Sequence, residues 1–197
     1  MHLFGFFDVD CLEMSEDGEG LTVRPRVAPI AETIERLHGI AADRGLPLVF
    51  TTCCSGRMPA PGSLEGVLVV PLDSSDASWR DRVAEHRRFY LAKKSYGKPA
   101  VNAACRAYDM FQDNENAPLL LGSLDVETWI VFGYGFDLCV GSAVRGLLAA
   151  GRRVLVLEDV RISSANATAE TERETISRLE ELGARFITLD ELHAMLD

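Results

Sequence analysis

Residues 129–160 read WIVFGYGFDLCVGSAVRGLLAAGRRVLVLEDV, and this stretch fixes the rhythm by which the rest of the chain is read. With the preceding Thr128, this stretch opens on a strand, TWIVFG (128–133), a short apolar run of the kind buried on both faces of a parallel sheet. Leu138, Val140, Val144, Leu147 and Leu148 then recur at helical spacing, and Gly151 stops the helix. RVLVLE (153–158) is a second apolar strand, so the stretch is one strand, helix, strand unit. Working outward, the same alternation predicts strands at 3–8, 47–52, 88–93 and 185–189, and a helix striped by Ile30, Ile34, Leu37 and Ala41 that ends at Gly45. The fold expected is α/β: a three-layer α-β-α, Rossmann-like arrangement, with a six-stranded, mostly parallel sheet and helices on both faces.

The chain has 197 residues, 47% of them hydrophobic, which fits one domain over 1–197 with a substantial core. Residues 53–79, rich in Pro and Gly, break the rhythm and are expected to form a lid or substrate loop. Lysine and arginine total 20 against 30 acidic residues, a formal charge of −10. That charge repels phosphate backbones and anionic membranes, so neither nucleic acid nor membrane is expected as a partner. MHLFGFFDVD carries no basic leader, and a cytoplasmic location is expected. Five cysteines form no even framework, and the four histidines show no metal-binding spacing, so reduced thiols and no metal or cofactor are expected.

In a parallel sheet, ligands sit beyond the carboxyl ends of the strands. Those ends carry Asp8 and Asp10, Thr51, Thr52 and Cys53, Lys93 and Lys94, Gly133, Tyr134, Gly135 and Cys139, and Glu158 with Asp159. Three chemistries compete for this set. In the first, Cys139 is a nucleophile: a thiol in the first turn of a helix, with Asp137 as N-cap, feels the helix dipole and free N–H groups, while Lys93 adds positive charge and Asp8 takes the proton. In the second, GYGFDL mimics a dinucleotide-binding GxGxxG, but Leu138 stands where the third glycine belongs. In the third, Asp8 and Asp10 hold magnesium for a haloacid-dehalogenase-like phosphoryl transfer. A small buried Cys139 with only a packing role is the plain alternative to the first. His86 lies at the wrong end of its strand for a base and reads as a surface residue.

The first reading also carries a resemblance. VFGYGFDLCVGSAVRGLLAAGRRVLVLEDV is similar to the strand, G-x-x-x-D-x-C-V, helix, G-x-x-V-x-V-x-x-D pattern of the isochorismatase-like cysteine hydrolases, which include nicotinamidases and N-carbamoylsarcosine amidohydrolases. FGFFDVD is similar to their first strand, and LAKKSYG to their K-x-x-Y-S motif. The resemblance implies an Asp8, Lys93, Cys139 triad that hydrolyses a small amide or ureido C–N bond through an acyl-enzyme. It further implies a cis peptide at Tyr134–Gly135, oxyanion donors at the N–H groups of Gly135 and Cys139, and a homodimer or larger homo-oligomer. Asp10, Cys53, Arg57, Tyr96 and Tyr134 are candidate pocket residues. Two departures stand out: Asp10 occupies a position where many members carry glutamine, and Cys53, Cys54 and Ser55 occupy the nicotinamidases' D-x-H metal positions. A non-catalytic binding protein built on the same fold is the alternative outside enzymology.

Overall fold

The structure is a computed structural model; it describes residues 2–15, 20–52, 59, 62–93, 111 and 114–197. The central strands are β1 (His2–Val9), β4 (Leu48–Thr52), β5 (Val67–Val70), β6 (Arg88–Ala92), β7 (Val126–Tyr134), β8 (Arg153–Ile162) and β9 (Arg185–Ile187). They form one seven-stranded sheet in the order β5-β6-β4-β1-β7-β8-β9. Every pairing within it is parallel. A separate antiparallel hairpin pairs β2 (Leu12–Met14) with β3 (Leu21–Val23).

The seventh strand corrects the expectation of six. Val67–Val70 lies inside the segment read as a lid, yet all four residues are buried and pair with β6. Four residues are too few to show a period, which is why the run read as part of a loop. The chain after it is also built into the fold. Asn116 donates from Nδ2 to the carbonyls of Pro71 and Asp73, each at 2.9 Å, and Trp79 is buried in the core. Residues 53–58, 60 and 61, the other part of the expected lid, lie outside the described residues.

Among the described residues the α-helices are α1 (Ala31–Asp43), α2 (Ala117–Ser123), α3 (Gly141–Ala149), α4 (Ala169–Glu181) and α5 (Leu189–Leu196). The predicted stripe on α1 holds, with Ile34, Leu37 and Ala41 buried, and that on α3 holds with Val144 and Leu147. Two hydrophobic clusters follow, one on each face of the sheet. Phe7 and Val9 of β1 point into the cluster that contains Cys139 and residues of α2, α3 and α4. Phe6 points into the other, with Ile34 and Leu37 of α1 and Leu192 of α5. Helices therefore cover both faces, as expected for near-continuous apolar strands. Among the described residues no helix is long and apolar enough to cross a membrane.

Candidate active site

Strand β1 lies at the centre of the sheet, with β4 and β7 on either side, so the chain departs from it in both directions. Such a switch point opens a crevice beyond the strand ends. β1 is drawn close to β7 at this end: a Cβ on Gly133 would come within 2.1 Å of the Val9 carbonyl oxygen, and Gly133 has φ 139°. Only glycine fits there.

Four side chains meet in the crevice: those of Lys93, Asp10, Thr51 and Cys139. Lys93, which follows β6, is 1% exposed, and its Nζ lies 2.6 Å from Oδ2 of Asp10, which is fully buried. β6 is two strands from β1, about 10 Å away, so the lysine must extend past β4 to make this contact. Thr51 at the end of β4 donates from Oγ1 to Oδ1 of the same carboxylate at 2.9 Å. The Cys139 side chain also hydrogen-bonds to Asp10. Burial pushes the Asp10 carboxyl up, but the Lys93 charge and the hydrogen bonds from Lys93, Cys139 and Thr51 outweigh it and hold the group below its ordinary value. Cys139 itself is 5% exposed.

The carboxylate in contact with Lys93 is thus Asp10, where the sequence pointed to Asp8. Asp8 is also fully buried but faces α1: its Oδ2 lies 2.9 Å from His38 Nε2, and its Oδ1 accepts from the Cys11 N–H at 3.3 Å. In an unbroken strand residues 8 and 10 share a face. Asp10 escapes that rule because it has φ 58°, a left-handed conformation that aspartate tolerates better than most residues. Its N–H donates to the Thr51 carbonyl at 3.1 Å, and its carbonyl accepts from Arg24 Nε at 3.1 Å.

The turn carrying Cys139 departs from expectation in three respects. Phe136–Val140 is a single π turn entered through Gly135, which has φ 76°, and Asp137 is not its N-cap. Asp137 instead accepts from the N–H and the hydroxyl of Ser164, at 2.7 and 2.6 Å, tying the turn to the loop before α4. No cis peptide occurs among the described residues, Tyr134–Gly135 included. The Gly135 N–H donates to the Ile162 carbonyl at 2.7 Å, so it is not free to serve as an oxyanion donor. Gly135 does shape the space beside the thiol: a Cβ there would lie 3.6 Å from Cys139 Sγ.

Of the candidate pocket residues, Asp10 is in the group with Lys93 and Cys139, while Tyr134, partly buried, packs against the cluster on the α1 face, with the Arg24 guanidinium 5.8 Å from its ring centre. Cys53, Cys54, Ser55, Arg57, Lys94 and Tyr96 lie outside the described residues. His86 is partly exposed and hydrogen-bonds through Nδ1 to the Arg82 carbonyl at 3.0 Å, away from the crevice. Thr51 and His38 were not singled out as partners of the two aspartates. His38 falls beside Leu37 and one turn after Ile34, on the edge of the stripe that α1 buries. A histidine there, opposite a strand that carries an aspartate, was the available signal.

A buried thiol, ammonium and carboxylate thus gather at the switch point of the all-parallel sheet of an α/β protein. The chain belongs to the isochorismatase family of hydrolases: the family model described as Isochorismatase domain matches residues 10–191. Comparison with curated protein sequences finds no match. Among solved structures, the chain is similar to the pyrazinamidase of Pyrococcus horikoshii in complex with zinc (15% identity, 95% of this chain and 99% of that chain, TM-score 0.61). It is also similar to a nicotinamidase from Staphylococcus aureus (14% identity, 95% and 100%, TM-score 0.60). A third similar structure is N-carbamoylsarcosine amidase from Thermoplasma acidophilum (16% identity, 95% and 96%, TM-score 0.56). These identities speak for a shared fold, and with the family match they leave the phosphatase and dinucleotide readings without support.

Proposed function

We propose that the protein is a cysteine-dependent hydrolase of a small amide or ureido C–N bond, with Cys139 as nucleophile, Asp10 as general base and Lys93 as the cation that balances the ionised site. The observation that carries this reading is the Lys93 to Asp10 contact at 2.6 Å, with Cys139 bonded to the same carboxylate and all three groups buried. Removing a carboxylate and an ammonium from water is costly, and well-packed apolar residues fill such a place at least as well. A poised proton acceptor beside a thiol gives the pair a chemical use.

Asp10 takes the Cys139 proton as Sγ attacks the substrate carbonyl, giving a tetrahedral oxyanion beside the buried ammonium. The C–N bond breaks, the proton passes from Asp10 to the leaving nitrogen, and a thioester on Cys139 remains. Water enters, gives a proton to Asp10 and adds to the thioester, and the acid leaves as the proton returns to the thiol. The amidase and nicotinamidase names of the similar structures agree with this reaction class.

Peptide-resolved alkylation by iodoacetamide across pH tests the reading. Cys139 is expected to react at least tenfold faster than Cys11 at pH 7, and to lose that lead in Asp10→Asn. Equal rates for the two thiols in the wild type would sink the proposal.

A further inference from the structure

We propose that Asp8 and His38 form a positioning pair that aims Asp10 at Cys139 by fixing the left-handed turn between β1 and β2. The inference rests on the reading of Asp10 as the general base. It begins from a buried group for which the reaction has no use. Asp8 is 0% exposed in the middle of the sheet, its neighbours across the register are Phe50 and Phe132, and the residue two before it on its own face is Phe6. A carboxylate among phenylalanines is costly unless specific partners hold it.

Its partners have a direction. One oxygen is held by His38 Nε2 at 2.9 Å, reaching in from α1, and the other accepts from the N–H of Cys11 at 3.3 Å. The His38 ring also lies 6.4 Å from that of Phe132, the β7 neighbour of Asp8. His38 therefore fixes the carboxylate from the helix side, and the carboxylate fixes the amide that immediately follows Asp10. This bond spans from residue 8 to residue 11 and closes the turn in which Asp10 takes φ 58°. Two further bonds clamp the same residue, from its N–H to Thr51 and from Arg24 Nε to its carbonyl, each at 3.1 Å.

The consequence follows from strand geometry. Without the turn, the side chain at position 10 falls on the α1 face with those at 6 and 8, whereas Cys139 belongs to the cluster on the opposite face. The turn is what carries the Asp10 carboxylate across to Lys93 and Cys139. Cys11 packs into the space left behind: it is buried, and its thiol receives the Tyr134 N–H. A left-handed conformation is unfavourable for an L-residue, so it persists only where its surroundings enforce it. Asp8 and His38 are positioning residues in this scheme.

The test uses the full chain and three variants, Asp8→Asn, His38→Leu and His38→Gln, the last keeping an amide that donates to Asp8. Two readouts are taken: the rate of Cys139 alkylation by iodoacetamide against pH, and the titration of the Asp10 carboxyl by carbon-13 NMR, assigned with Asp10→Asn. We expect His38→Leu to slow alkylation at pH 7 about tenfold and to move the Asp10 midpoint upward, and His38→Gln to restore most of both. Asp8→Asn should fall between them. If His38→Leu lowers the melting temperature yet leaves both the alkylation profile and the Asp10 midpoint at wild-type values, the pair is merely structural and the proposal is overturned. It is equally overturned if Asp8→Asn abolishes alkylation while Asp10→Asn does not, since Asp8 is then the base itself. Wild-type Cys139 that reacts no faster than Cys11 defeats the hydrolase reading, and the NMR titration still decides whether Asp8 and His38 orient Asp10.

Discussion

Replacing Asp10 by asparagine tests the buried ion pair on which the site depends. Asparagine has nearly the same shape and still offers one oxygen to Lys93 or Thr51, but it takes away the negative charge that Asp10 sets against the Lys93 ammonium, 1% exposed. Breaking a buried pair from one side typically costs about 3–5 kcal/mol, and the retained amide oxygen places this case near the lower end, about 3 kcal/mol. For a chain of this size that lowers the melting temperature by about 6–12 °C. Lys93→Met alone should be similarly harmful, because it strands the carboxylate. The double variant Asp10→Asn/Lys93→Met removes both charges and should return to within about 1 kcal/mol of wild type. Urea denaturation followed by circular dichroism at pH 7 measures all four proteins, and the cycle should give a coupling of about 5 kcal/mol. Additive single effects, or an Asp10→Asn cost under about 1 kcal/mol, would refute the reasoning. The sign of the pH dependence adds a second check. Asp10 is held below its ordinary value in the folded protein, so its stabilisation is present above the unfolded carboxylate value of about 3.9 and is lost as pH falls through the lower folded one. The gap between wild type and Asp10→Asn should be constant from pH 5 to 8 and close only in stronger acid.

Other expectations are narrower. Cys139→Ser should abolish hydrolysis in a screen of small amides and carbamoyl compounds while shifting the melting temperature by only a few degrees; retained turnover would remove the thiol from the mechanism. Burial first, then the negative charge of Asp8, pushes the Cys11 thiol well above its ordinary value, so Cys11 should resist iodoacetamide at neutral pH until the protein is unfolded. Gly135→Ala, at φ 76° and 3.6 Å from Sγ, should cost about 1–2 kcal/mol and slow alkylation of Cys139 by crowding it; an unchanged rate would show that the reagent approaches from elsewhere. Gly133→Ala should prevent folding or cost far more, because its Cβ meets backbone at 2.1 Å with no flexible neighbour to yield.

Much of this protein was settled by sequence alone. Apolar runs at regular intervals demanded a parallel sheet covered on both faces, and the stripes of α1 and α3 follow helical spacing because a helix and a strand each repeat at a fixed period. The same logic put Lys93 and Cys139 at strand ends on one rim, since parallel strands all finish on the same side. Tertiary structure decided what periodicity cannot express. β5 was invisible because four residues show no period and its burial comes from β6. Asp137 looked like a helix cap, but its partner Ser164 lies 27 residues further along the chain. Above all, Asp8 and Asp10 are two positions apart on one strand and look interchangeable in a pattern of period two. The left-handed conformation of Asp10 itself parts their directions, sending the Asp8 carboxylate to His38 and the Asp10 carboxylate to Lys93 and Cys139. That conformation is held by the local Asp8 to Cys11 bond and by Arg24 and Thr51, whose contacts with Asp10 exist only once the fold has brought separate parts of the chain together.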